Sequence, residues 1–148
     1  YESYYINIDG TNKAKGVEAE LSYQFSDQLK LNGNYTFTQV DEVLNRLIAK
    51  HKGNVSVDFT PTKRTLFTIN YQYIDGRLDA FFDGNTYETI QSKLGSYQLL
   101  NALLQYELVK NRLTIFGNVT NIFNEDFIEN TGYSTQGRNF KLGLNINI

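Results

Sequence analysis

Cysteine is absent from this 148-residue sequence, which excludes disulfides, thiolate metal sites and cysteine nucleophiles. Histidine occurs once, at His51, so a histidine-based zinc site or a catalytic dyad is hard to assemble. No stretch approaches the roughly 18 continuous apolar residues of a membrane helix. Charge of either sign is also scarce as a net quantity: the formal total is -2, and nothing points to nucleic acid or to recruitment by acidic lipid. Proline occurs once, against 11 Tyr, 10 Phe and 11 Gly, a composition that favours β structure. The opening "YESYYINI" lacks the charged, apolar and small-residue order of a signal peptide. It reads as a strand already under way, and the expectation is that the sequence starts inside a longer chain.

What is present is alternation. In "GRNFKLGLNINI", Phe140, Leu142, Leu144, Ile146 and Ile148 share one parity, while Asn139, Lys141, Gly143, Asn145 and Asn147 share the other. In water, such a strand is an aggregation hazard. The same period of two, the signature of a strand with one apolar and one wet face, recurs at Val17 to Phe25, Leu29 to Phe37, Val55 to Phe59, Phe67 to Tyr73, Leu100 to Tyr106 and Leu113 to Val119. With the opening fragment, eight strands are expected.

The connections sort into two kinds. Three are tight: "SDQ" at 26–28, "PTK" at 61–63 and "VKN" at 109–111. Between them lie longer polar segments at roughly 9–15, 39–50, 77–95 and 124–137. Short and long alternate strictly, so in an antiparallel meander the tight turns gather at one end and the long loops at the other. That asymmetry is characteristic of bacterial outer-membrane barrels, in which about 9–11 tilted residues per strand cross the hydrocarbon layer and closure pairs the whole backbone. On this reading the apolar parity faces outer-membrane lipid. Tyr23, Phe25, Tyr35, Phe37, Phe59, Tyr73 and Tyr106 sit where interfacial girdles belong. A soluble sandwich or lipocalin-like barrel would bury the same parity as its core. A freestanding eight-stranded barrel would be an anchor or adhesion module, and an esterase would need a Gly-x-Ser-x-Gly partner for His51 that the sequence does not contain.

"NVTNIFNEDF" at 118–127 and "TGYSTQGRNFKLGLNI" at 131–146 resemble the C-terminal end of TonB-dependent outer-membrane receptors. "KGVEAELSYQF" at 15–25, "LNGNYTFT" at 31–38 and "SYQLLNALLQYEL" at 96–108 are similar to further phrases of that family, in its order. Two departures stand out: Ala49 replaces an expected proline before the strand at His51, and the chain ends on Ile148 where Phe is common. The resemblance implies an all-β, antiparallel transmembrane barrel, with residues 1–148 supplying about eight C-terminal strands of a barrel of about 22 strands with a plugged lumen. The plug domain, the remaining strands and the TonB-contacting segment would be elsewhere. It also implies a location in the outer membrane of a Gram-negative bacterium and TonB-driven uptake of a scarce bulky ligand, a ferric siderophore or cobalamin, with no bond chemistry and no cofactor.

Under that resemblance the ligand site is expected in the long loops. There Phe81, Phe82, Tyr87, Phe127 and Tyr133, with Arg77, Asp83 and Arg138, offer aromatic faces and charges suited to an organic chelate or corrinoid. Gly137 and Arg138 also match a family phrase with a structural reading, glycine for a tight entry and arginine pairing inside the wall. Asp79, Asp83 and Asn85 offer oxygens for calcium, without the fixed ligand spacing of a known loop. Glu18 and Glu20 share a parity and read as a solvated lumenal wall. Three glycosylation sequons, at Asn34, Asn54 and Asn118, fall inside expected strands. Val40, Val43, Leu44, Leu47 and Ile48 follow helical spacing, and the segment admits a short helix or a loop leading into the next strand.

Overall fold

A computed structural model describes residues 13–41 and 46–147. Nine strands form: β1 Ala14–Ser26, β2 Leu29–Val40, β3 His51–Thr62, β4 Thr65–Ile74, β5 Arg77–Asp83, β6 Glu88–Leu94, β7 Tyr97–Val109, β8 Leu113–Thr120 and β9 Asn139–Ile146. The seven alternating stretches become one antiparallel sheet in the order β1-β2-β3-β4-β7-β8-β9. The expected opening strand, and Ile148, lie outside the described residues.

One long connection is not a plain loop. Residues 77–95 hold the β5–β6 hairpin, a two-stranded sheet of its own, so β4 pairs directly with β7. The helical reading of 40–48 finds no support in the described part. Val43 and Leu44 lie outside it, and Arg46–Lys50 is irregular, with Leu47 at φ 58° and its amide donating to the Leu78 carbonyl at 2.7 Å. The tight turns fall at Asp27–Gln28, Lys63–Arg64 and Lys110–Arg112. The second begins two residues later than expected because Pro61 stays within β3, beside a register shift between Phe59 and Thr62; bulges are where a strand tolerates proline. Similar shifts accompany the other two turns.

Register explains the alternation. Leu21, Gly33, Val55, Tyr71 and Leu100 stand opposite one another in succession, as do Phe59, Phe67, Leu104, Gly117 and Leu142. Because side chains alternate between faces, these rows merge into one apolar surface. The other face carries rows such as Lys30, Asp58 and Thr68. Its polar groups pair across strands: Ser22 to Asn32 at 2.9 Å, Thr68 to Asp58 at 2.7 Å and Asn70 to Asn54 at 2.8 Å.

The apolar surface covers no protein core. Leu142 is 91% exposed, Leu21 57% and Phe59 40%, and the only buried hydrophobic residues among those described are Ala49, Leu94 and Tyr97. A sandwich or lipocalin-like barrel would pack the same side chains together; here the polar parity is the more covered one along β3 and β4. Aromatic residues mark both ends of the apolar surface. Tyr23 and Phe25 meet edge to face at 4.7 Å by the first turn, and at the loop end His51 lies against Tyr35 and Phe37 and shares a 2.7 Å hydrogen bond with the Tyr35 hydroxyl. His51 therefore belongs to an aromatic cluster, and no group of three metal-capable side chains occurs among the described residues.

Candidate functional site

The 75–96 and 121–138 connections and the described residues 46–50 meet at the end of the sheet away from the tight turns. Two asparagines build the 121–138 segment. Asn121, at φ 52°, is 4% exposed. Its side chain accepts the Glu125 amide at 2.8 Å and donates to the carbonyls of Glu125, at 2.9 Å, and Gln136, at 3.4 Å, while its own amide donates to the Asn101 side chain at 2.9 Å. The start of the segment is thereby fixed to β7, and its far end is tied back to that start. Asn124, at φ 55°, accepts the Arg138 amide at 2.9 Å. A Cβ on Gly137 would stand 2.8 Å from that same Asn124 oxygen, so any larger residue would push on the side chain that holds the Arg138 amide. The Asn121 and Asn124 side chains of the "NVTNIFN" phrase thus organise the backbone, and the "GR" phrase supplies the glycine and the amide that fit against Asn124.

A second anchor ties the hairpin to that segment. Tyr97 is buried at the start of β7; its ring meets Phe127 at 4.4 Å, its hydroxyl donates to Glu129 at 3.2 Å, and the Arg77 guanidinium lies 5.3 Å over its ring centre. Arg77 also donates to the Ile128 carbonyl at 3.1 Å. Next to it Asp79, 4% exposed, accepts the Thr131 and Ala80 amides at 2.8 Å each and pairs with Arg46 at 3.1 Å. The Thr131 amide chiefly holds its carboxyl well below the usual carboxylate range, with Arg46 and the Ala80 amide assisting and burial opposing. One carboxylate therefore binds residues 46–50, the hairpin and the 121–138 segment together.

The eight expected ligand residues separate accordingly. Arg77 and Phe127 belong to the anchor. Asp83 shapes the hairpin turn, accepting the Asn85 amide at 2.9 Å and the Thr86 hydroxyl at 3.2 Å. Asp79 and Asp83 of the calcium reading thus each hold backbone amides in place. Arg138 contributes its amide to the segment closure, and its side chain is exposed. The remaining four face outward: Phe81 and Phe82 on β5, Tyr87 in the turn and Tyr133 in the second segment. Phe82 and Tyr87, 64% and 78% exposed, meet edge to face at 6.3 Å. Tyr133 is not in contact with them through any ring pairing. Between the two segments lies a cleft of about 290 Å³ lined by Lys93, Ser96, Asp126, Phe127, Thr131 and neighbouring backbone.

Residue type alone pointed to the exposed aromatics. It did not point to Asp79 as an ion-pair hub, nor to Tyr97, Asn121 or Glu129, whose partners lie up to 52 positions away. The one available signal was that Tyr97, Asn101 and Asn121 fall within the family-like phrases.

Residues 1–122 match the family model described as "TonB dependent receptor-like, beta-barrel". Among solved structures, the ferripyoverdine receptor of the outer membrane of Pseudomonas aeruginosa superposes with a TM-score of 0.74 at 15% identity, over 90% of this chain and 19% of its own. The ferric-catecholate import receptor Fiu of E. coli K12, in its open form, gives 0.71 at 18%, over 91% and 21%. The siderophore receptor PiuA of Acinetobacter baumannii gives 0.70 at 16%, over 91% and 22%. The chain spans about a fifth of the length of each of these structures.

Proposed function

Because the chain belongs to the TonB-dependent receptor β-barrel family, a family of transport receptors and not of enzymes, we propose that it forms the C-terminal wall and part of the outer mouth of a receptor that imports a bulky iron chelate across the outer membrane of a Gram-negative bacterium. In this reading the plug domain and the remaining strands belong to the rest of the receptor, and TonB acts through that plug. The tight turns face the periplasm and the anchored segments face the outside.

The observation that carries the reading is the pairing of a bare apolar sheet face with an exposed aromatic hairpin tip at its loop end. The bare face requires a hydrocarbon neighbour. The tip offers Phe82 and Tyr87 as rigid aromatic contacts, held on a hairpin that Asp79 and Arg77 fix in place. Siderophore is favoured over cobalamin because all three structures named above are siderophore receptors.

Ferric catecholate, ferric hydroxamate and cobalamin, titrated separately onto the full-length receptor in detergent, test this. One ferric chelate is expected to bind, and Phe82→Ser with Tyr87→Ser is expected to weaken it by about tenfold, the scale of one or two aromatic contacts. Binding of cobalamin alone, or affinity indifferent to both substitutions, contradicts the assignment.

A further inference from the structure

On the apolar face, β8 has no side chain at Gly117, which stands between Leu104 of β7 and Leu142 of β9. The gap opens a groove of about 500 Å³ walled by Leu104, Tyr106, Ile115, Leu142 and Leu144. Tyr106 and Leu144 both stand opposite Ile115, so the groove runs from mid-strand toward the tight-turn end. About 10 Å beyond Ile115, at the usual rise per strand residue, comes the turn Lys110–Arg112, with both cations exposed. The only ion pair among the described residues is Arg46 with Asp79, at the opposite end. Glu107, the acidic group beside this turn, lies on the polar parity opposite Thr114, and its carboxylate accepts the Asn111 amide at 2.6 Å. Lys63 and Arg64 occupy the neighbouring turn, also exposed.

We propose that this groove and turn form a site for one anionic phospholipid of the leaflet the tight turns face, an acyl chain lying over Gly117 and the phosphate held by Lys110 and Arg112. The site rests on the outer-membrane reading given above. Three features select this occupant. The groove is continuous with the apolar rows that hydrocarbon covers, so a chain entering it never leaves that medium. Its open end leads to two unpaired cations, which attract anionic headgroups at the membrane surface. A free phosphate ion would meet the cations and leave the groove empty, whereas a phospholipid fills both. Net charge gives no hint of this, because the attraction is local to one turn.

The test uses the full-length receptor in nanodiscs of phosphatidylethanolamine containing a trace of spin-labelled phosphatidylglycerol or spin-labelled phosphatidylethanolamine, with motionally restricted lipid read by electron paramagnetic resonance. Phosphatidylglycerol is expected to be retained several-fold over phosphatidylethanolamine, and inorganic phosphate is expected not to displace it. Lys110→Gln with Arg112→Gln should reduce that preference, by up to about five-fold for each charge removed. Gly117→Leu should abolish the extra retained phosphatidylglycerol and leave the general lipid shell intact; the nearest atom to a new Cβ there is the mobile end of Leu142, at 3.3 Å, so the strand accommodates it. Equal retention of the two lipids by the unaltered receptor, or a preference that survives both substitutions, overturns the site. A folded receptor with no motionally restricted lipid at all would overturn the outer-membrane reading itself, a result distinct from a normal shell lacking preference.

Discussion

At Asp79, three hydrogen-bond and ionic contacts converge on one side chain from three stretches of sequence. A buried carboxylate needs such partners, since removing them leaves an uncompensated charge. Its native-state titration lies below the ordinary carboxylate range of about 4. The folded value is thus depressed, so the stabilisation is complete above pH 4 and is lost only as pH falls through the lower native value. Protection of the Thr131 amide against hydrogen exchange is accordingly expected to be unchanged between pH 7 and pH 5. Asp79→Asn turns a donor toward one of two backbone amides, and exchange at Thr131 is expected to rise by roughly tenfold or more at either pH. Exchange that stays slow in the variant would deny Asp79 its part in holding the segments.

Single residues were legible in the sequence to different degrees. Phe81, Phe82, Tyr87 and Tyr133 are all exposed, the first two on strand β5 and not in the plain loop that was expected. Arg77 and Phe127 have the same chemical character and are used internally, because Tyr97 presents a buried ring between them. No local pattern distinguishes the two uses; only the packing of distant segments does.

At the scale of elements, the seven strands of the main sheet were all readable, although Leu103 and Phe116 put apolar residues on the wet parity. The β5–β6 hairpin was not. Its first strand sets Phe81 beside Phe82, breaking the period of two, and its turn at Gly84–Tyr87 carries a left-handed tyrosine at φ 57° where glycine or asparagine is the usual signal. Elements also conceal compensations between strands. Gly143 of β9 stands opposite Phe116 of β8 on the polar face, and the nearest atoms to a Cβ at Gly143 would all belong to the Phe116 ring. The ring covers a glycine that would otherwise weaken the strand, the arrangement known as aromatic rescue. Phe116→Ala is expected to destabilise the refolded receptor by about 1 kcal/mol, the upper range for a cross-strand pair, read from urea unfolding in detergent micelles. A midpoint unmoved by the substitution would show that the ring is idle.

For the whole molecule, the sheet explains why the sequence alternates to its last residues. The apolar rows form a continuous surface from β1 to β9, and within the described residues nothing lies over it. Strand count and loop asymmetry were enough to read a barrel wall, because both follow from backbone pairing. The ligand was not legible, because specificity resides in a few side chains at the mouth, and the same loop chemistry serves many chelates. Fold likeness at 14% to 19% identity carries no more than the wall.

The central claim is that hydrocarbon touches the apolar parity and that the polar parity looks inward. Since this chain has no cysteine, single thiols placed along it can be spin-labelled unambiguously within this stretch of the full-length receptor in lipid bilayers. Collision rates with oxygen, which concentrates in hydrocarbon, then report the medium at each position. High oxygen accessibility is expected at Leu21, Val57, Ile69 and Leu142, and low accessibility at Glu20, Ser56, Asn70 and Lys141, giving an oscillation of period two. Low oxygen accessibility at the first four positions, with no such oscillation, would place them in a protein interior and contradict the account.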